Sequence, residues 1–239
     1  MRTSTFPKDP ALPGRSGRPW TAASGAVHPG RRLSSLPSRL QRLLLRLIWL
    51  LPLTAVAALP AAPASEVDPT QVWRVDFESG VLWHFAGSAS PLDYVFLPQI
   101  LSLIGPANFH RPFLGGEIFL RSRYSVILDP IVQAPEHHYF AASASGLLEW
   151  WDLARTRCLF FTSGGGCGWL DAKGYEIAGG QGQEFNFNWL IYGGARFRVA
   201  PRWTASLGLY FQHVSNGHLD KLDPGVNALG PMLNASWRF

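Results

Sequence analysis

From residue 65 onward the chain alternates apolar and polar residues with a period of two, and nowhere holds an apolar run long enough for a membrane helix of ~20 residues. Phe185, Phe187, Trp189, Ile191, Gly193, Ala195, Phe197 and Val199 take the odd positions of one stretch, with Asn186, Asn188, Arg196 and Arg198 among the even ones. The last stretch sets Leu229, Leu233, Ala235, Trp237 and Phe239 against Gly230, Asn234, Ser236 and Arg238, and an early one sets Val75, Phe77, Val81, Trp83 and Phe85 against Asp76, Glu78, Gly80, Leu82 and His84. Successive side chains of a strand point to opposite faces, so each stretch has one face suited to oil and one suited to water or ion pairs.

Such segments fall at about 72–86, 91–105, 113–129, 137–150, 158–171, 184–199, 202–216 and 226–239. Eight is an even number, and an aromatic-rich apolar face repeated eight times predicts an all-β fold: an eight-stranded antiparallel transmembrane β-barrel of the outer-membrane type. A soluble sandwich or lipocalin-like barrel also alternates, but turns its apolar face inward. The terminal Trp237-Arg238-Phe239, with apolar residues at alternate positions before it, is similar to the C-terminal signal by which outer-membrane proteins engage their assembly machinery.

The net charge of +5 misleads about partners. Residues 1–64 hold nine Lys/Arg and one Asp/Glu, which leaves twelve basic and fifteen acidic residues in 65–239, and no nucleic-acid surface is expected. The same first residues read as a signal peptide with an over-long basic lead: a Pro/Ser/Gly-rich stretch, an apolar run from Leu43 to Ala58 broken only by Arg46, then Ala62-Pro63-Ala64 with cleavage expected after Ala64. A retained signal anchor is the competing reading. The barrel domain is then 65–239, in the outer membrane of a Gram-negative bacterium.

One stretch looks chemical. Gln212-His213-Val214-Ser215-Asn216-Gly217 places a base and a hydroxyl at i and i+2, on the same strand face as Trp203, Ala205, Leu207, Leu209 and Phe211. The short connection Val199-Ala200-Pro201-Arg202 suits the periplasmic side, so the strand after it runs outward and carries His213 and Ser215 to the external rim. The connection beyond it, 217–225, is rich in turn formers.

Gly182-Gln183-Glu184-Phe185-Asn186-Phe187, Phe211 to Gly217, Asp223-Pro224-Gly225-Val226-Asn227 and the final Phe239 together resemble the PagL-type lipid A 3-O-deacylases, also called acyloxyacyl hydrolase-like proteins, over about the last sixty residues. Gly115 to Leu120 is compatible. The resemblance implies a Ser/His/Glu hydrolase site on the lipid-facing wall, lipid A of lipopolysaccharide as substrate, and a fatty-acyl ester at the 3-position as the bond cleaved. Ser215 would be the nucleophile, His213 its general base, and Asn216 with the backbone of Gly217 the oxyanion donors. The family's Glu falls at Asn227, on the same outer face as His213 by parity; Asp220 or Asp223 could substitute for the missing charge. A neutral third member keeps open a catalytically weak or inactive barrel with a structural or binding role. No metal ligand set and no cofactor is expected.

Glu117, Arg121 and Arg123 share a face, and with Arg196, Arg198 and Arg238 are expected to form ion pairs in the lumen. His137 and His138 resemble a metal pair only superficially, since consecutive residues of a strand point to opposite faces, and a structural or loop role is expected. Cys158 and Cys167 pair if Ser163 to Gly166 is a turn, and lie about 30 Å apart if 158–171 is one strand.

Overall fold

The computed structural model describes residues 70–239 apart from 86, 88 and 89; the expected signal segment lies outside the described residues. Among the described residues ten antiparallel strands form one sheet: β1 (Arg74–Gly80), β2 (Leu82–His84), β3 (Val95–Phe96), β4 (Gln99–Phe113), β5 (Gly116–Gln133), β6 (His138–Asp152), β7 (Arg157–Leu170), β8 (Phe185–Ala200), β9 (Trp203–Ser215) and β10 (Val226–Arg238). Eight pairings, β1–β4, β4–β5, β5–β6, β6–β7, β7–β8, β8–β9, β9–β10 and β10–β1, close the sheet on itself as a ring.

The two extra elements are continuations. β2 keeps the register of β1 against β10, with Gly80 opposite Met232 and Trp83 opposite Leu229, and the break at Val81 falls opposite Pro231, which has no N–H to give. β3 leads into β4 across Pro98 in the same way, with Phe96 opposite Ile131 and Gln99 opposite Leu128. The second expected segment ends too early at 105: β4 runs on to Phe113, with shifts in register around Ile104, Ala107 and Phe109 that absorb Pro106.

Polarity is inverted relative to a water-soluble fold. Arg123 and Arg196 are 2% and 1% exposed, whereas Leu209 is 61%, Leu101 and Tyr124 56%, and Phe77 48% exposed. The alternation therefore sends the charged face into the ring and the aromatic face out. Inside, Glu149 of β6 receives hydrogen bonds from Arg74 (2.8 Å) and Arg121 (3.2 Å) and pairs with Arg196, which also reaches Asp76 at 3.0 Å. Arg123 pairs with Glu78 at 2.6 Å, and Asn234 donates to both Asp76 and Glu78.

Of the expected lumen residues, Glu117 lies apart from this network and pairs with Arg155 at the short-turn end, and Arg198 and Arg238 form no ion pair among the described residues. Removing one member of a buried ionic network leaves its partners uncompensated, so Glu149→Ala is expected to destabilise the fold by about 3–5 kcal/mol. The measurement is the urea midpoint of the folded chain; an unchanged midpoint would contradict this account of the interior.

The connections fall on two ends, and the three longest share one of them. Leu114–Gly115, 153–156 and Pro201–Arg202 join strands at one end, whereas 85–94, 134–137, 171–184 and 216–225 gather at the other. The second end is tied together by hydrogen bonds: Tyr94 Oη donates to Glu136 at 2.8 Å, the Gln181 N–H to the other oxygen of Glu136 at 2.9 Å, and Ser90 to the Gly179 carbonyl at 2.9 Å. Cys158 and Cys167 both lie on β7, paired with Trp151 and Ala142 of β6, and are free thiols. No hairpin forms at 163–166, because Gly164, Gly165 and Gly166 sit flat between β6 and β8, where a Cβ would press on neighbouring backbone.

Candidate active site

β9 rises on the outer wall through Leu207, Leu209 and Phe211 and ends in His213 and Ser215, both half-buried. Antiparallel register sets Asn227 of β10 directly opposite His213, and Trp189 of β8 on its other side. Cross-strand neighbours on one face lie within about 5.5 Å. This brings three side chains into line: Asn227 Oδ1 is 2.6 Å from His213 Nδ1, and His213 Nε2 is 3.0 Å from Ser215 Oγ. An amide oxygen can only accept, so Nδ1 carries the proton and Nε2 is left to accept from the Ser215 hydroxyl.

The relay is set in an aromatic field. Phe211 meets Trp189 edge-on with centroids 5.5 Å apart and Phe85 at 6.4 Å, while Phe185, Phe187 and Trp169 form a second edge-to-face row on the Ser215 side. Two glycines with left-handed backbone bracket it, Gly217 (φ 64°) and Gly225 (φ 58°). A Cβ on Gly225 would stand 3.2 Å from His213 Cε1, so glycine there lets the loop lie against the imidazole.

Residues 118–236 match the family model described as lipid A 3-O-deacylase (PagL). The chain carries a PagL-family domain. It runs from within β5 to within β10 and contains Ser215, His213 and Asn227. A solved structure described as the outer membrane enzyme PagL is similar over 68% of this chain and 98% of its own length, with 14% identity and a TM-score of 0.44. No curated protein sequence matches the chain.

Within the PagL-family domain the other expected site residues take structural work. Asp223, one of the two substitutes for the missing acid, accepts the backbone N–H groups of Asn216 (2.9 Å) and His218 (2.8 Å). Asp220, the other, accepts the Tyr175 hydroxyl (2.9 and 3.0 Å) and the Leu222 N–H (2.8 Å). Both carboxylates therefore brace the 216–225 loop rather than His213, which takes Asn227 as its partner. Asn216 is also redirected: its parity turns it inward, it is fully buried, its side-chain amide donates to the Leu222 carbonyl at 2.8 Å, and its backbone N–H is spent on Asp223. Only Gly217 of the two expected oxyanion donors is exposed beside Ser215.

Sequence reasoning missed the contribution of the 171–184 loop. Besides the Tyr175–Asp220 hydrogen bond, the Gly182 N–H donates to the Leu222 carbonyl at 3.0 Å, and a Cβ on Gly182 would come within 2.6 Å of the Leu222 Cβ. The glycines at 174, 179, 180 and 182 were the available signal, since clustered glycines mark close backbone approaches. Asn227 is likewise held from the first hairpin, where the Phe85 N–H donates to its carbonyl at 2.8 Å.

His137 and His138 converge on one carboxylate. His137 lies in the β5–β6 connection rather than in a strand, so both imidazoles reach Asp171, at 2.8 and 3.6 Å. Partial burial of Asp171 opposes its ionisation, but the backbone N–H groups of His138 and His137 outweigh it and hold its pKa below the usual carboxylate value. Among the described residues no group of three or more His, Cys, Asp or Glu is arranged to hold a metal ion.

Proposed function

We propose that this chain is an outer-membrane serine esterase that removes a fatty-acyl chain, 3-O-linked, from lipid A. The observation that carries the reading is the Ser215–His213–Asn227 relay mounted on an apolar outer wall, where a soluble substrate would have little reason to go and a membrane lipid would already lie. An exposed apolar band of this extent calls for a hydrocarbon surrounding, and a ring with its ion pairs inside can cross one as a barrel. On this reading residues 1–64 export the chain, Phe239 engages the assembly machinery, and the end carrying the longer loops faces outward toward lipopolysaccharide.

The chemistry follows from the geometry. As Ser215 Oγ attacks the ester carbonyl, its proton passes to His213 Nε2, and Asn227 Oδ1 accepts the Nδ1–H throughout and fixes the ring. The negative charge gathers on the former carbonyl oxygen, beside the Gly217 backbone N–H. The imidazolium then returns the proton to the departing 3-hydroxyl, leaving the acyl group on Ser215. Water, activated by the same imidazole, releases the fatty acid and restores the serine.

The test is mass spectrometry of lipid A from Gram-negative cells making the full chain, beside cells without it. Loss of one 3-hydroxyacyl mass is expected; unchanged lipid A with the chain folded in the outer membrane would refute the reading. That outcome would favour the alternative, a non-catalytic barrel, which draws its support from the uncharged Asn227.

Gly225→Ala should show how closely the loop is fitted. Its left-handed φ costs an alanine about 1–2 kcal/mol, and the new methyl presses on His213 Cε1. A displacement of the imidazole by a few tenths of an ångström should lower the deacylation rate about tenfold, with the heat-modifiable gel shift of the folded chain retained. A rate equal to that of the parent would show that the His213 position tolerates the contact.

A further inference from the structure

At the end of the ring with the short turns, opposite the relay, five arginines and one glutamate converge on a single cavity of about 30 Å³: Arg74, Arg121, Arg155, Arg198, Arg238 and Glu149. The charge there does not balance. Glu149 is already shared by Arg74, Arg121 and Arg196, and Arg155 is taken by Glu117. Among the described residues Arg238 donates to the Pro201 carbonyl, a neutral acceptor, and Arg198 forms no ion pair, the Asp152 carboxylate acting on it only through space. The Nε atoms of both are shut off from solvent and have no hydrogen-bond partner among the described residues.

Guanidinium groups stay charged at any ordinary pH, so they cannot escape this crowding by releasing a proton. Arg198 and Arg238 are half-buried, with Nε turned inward, and like charges crowded at one mouth repel one another; an anion placed between such groups relieves the repulsion. Size narrows the choice. A water molecule needs roughly 10–15 Å³ of such space, so a cavity of about 30 Å³ takes a halide and excludes a phosphate ester or nucleotide.

We propose that this end of the ring binds one chloride-sized inorganic anion between Arg198 and Arg238, completing the charge balance of the interior. The site is separate from the relay and does not depend on the proposed reaction. Its role is to fasten the C-terminal end of β8 to that of β10 at the mouth of the ring.

The experiment is thermal unfolding of the purified, detergent-solubilised chain, followed by tryptophan fluorescence, while sodium chloride replaces sodium gluconate at constant ionic strength. A saturable rise of the midpoint with chloride is expected in the parent chain. The rise should flatten in Arg198→Gln and in Arg238→Gln; Arg198→Gln, being further from the C-terminal residue, keeps the comparison available if the other variant fails to assemble. Crystals grown in sodium bromide should place an anomalous scattering peak within the arginine cavity. Coincident midpoints in chloride and gluconate, a chloride effect undiminished in both variants, or bromide peaks only elsewhere would each overturn the proposal.

Discussion

Ser215→Ala is expected to leave the ring folded and to slow the loss of acyl chain from lipid A about a hundredfold. The side chain is half-buried at the end of β9, its hydroxyl meets His213, and removing one oxygen on the outer wall opens no interior void. Stability should therefore change little while the nucleophile disappears. The size of the drop can be bounded: a complete Ser/His/acid triad contributes roughly 10⁶ to turnover and loss of its carboxylate costs about 10⁴, so Ser215 with His213 retains about 10² here. A fall of that size in the single-turnover rate, with the gel shift of the folded form intact, is the expected reading. A variant as active as the parent would remove Ser215 from the reaction.

Asn227→Asp should move the rate the other way, and further. Asn227 Oδ1 already stands 2.6 Å from His213 Nδ1, so aspartate, the same size and shape, puts a negative charge on the existing hydrogen bond without moving an atom. The carboxylate stabilises the imidazolium that forms as Ser215 gives up its proton, support that a neutral amide withholds. The expected gain in turnover lies between about 10² and the ceiling of about 10⁴ set by the carboxylate's worth in a serine triad. Asn227→Glu, the residue type that the family resemblance implies, must fold one more methylene into the same gap and should gain less. If neither charged variant exceeds the parent, the amide is not what limits the reaction.

The order of these two side chains bears on what sequence can carry. Parity alone put His213, Ser215 and Asn227 on one face, since strand periodicity is two and β9 and β10 are joined by one loop; the structure adds the register that sets Asn227 opposite residue 213 and not 211 or 215. The outward aromatic face was legible for the same reason. Asn216 was misjudged because its role depends on where Leu222 and Asp223 return in the 216–225 loop, and loop closure has no period to read. Asp220 was offered as an acid by composition, but its partner Tyr175 comes from a different loop 45 residues away, a contact that only the ring creates. The breaks at Val81 and Pro98 were hidden in plain sight, since a proline reveals a missing donor but not which strand goes without it.

The closing seam of the ring has a consequence for timing. β1 is paired with β10, Arg74 opposite Arg238, so the first strand waits for the last before either has both neighbours. Contacts so distant in sequence form late and give little reward until the chain between them is in place. The hydrogen bond from His213 to Asn227 bridges β9 and β10, so the relay requires these two strands paired in register. On the proposed reading, a chain in which β9 has not yet met β10 carries the serine and the histidine but no assembled relay.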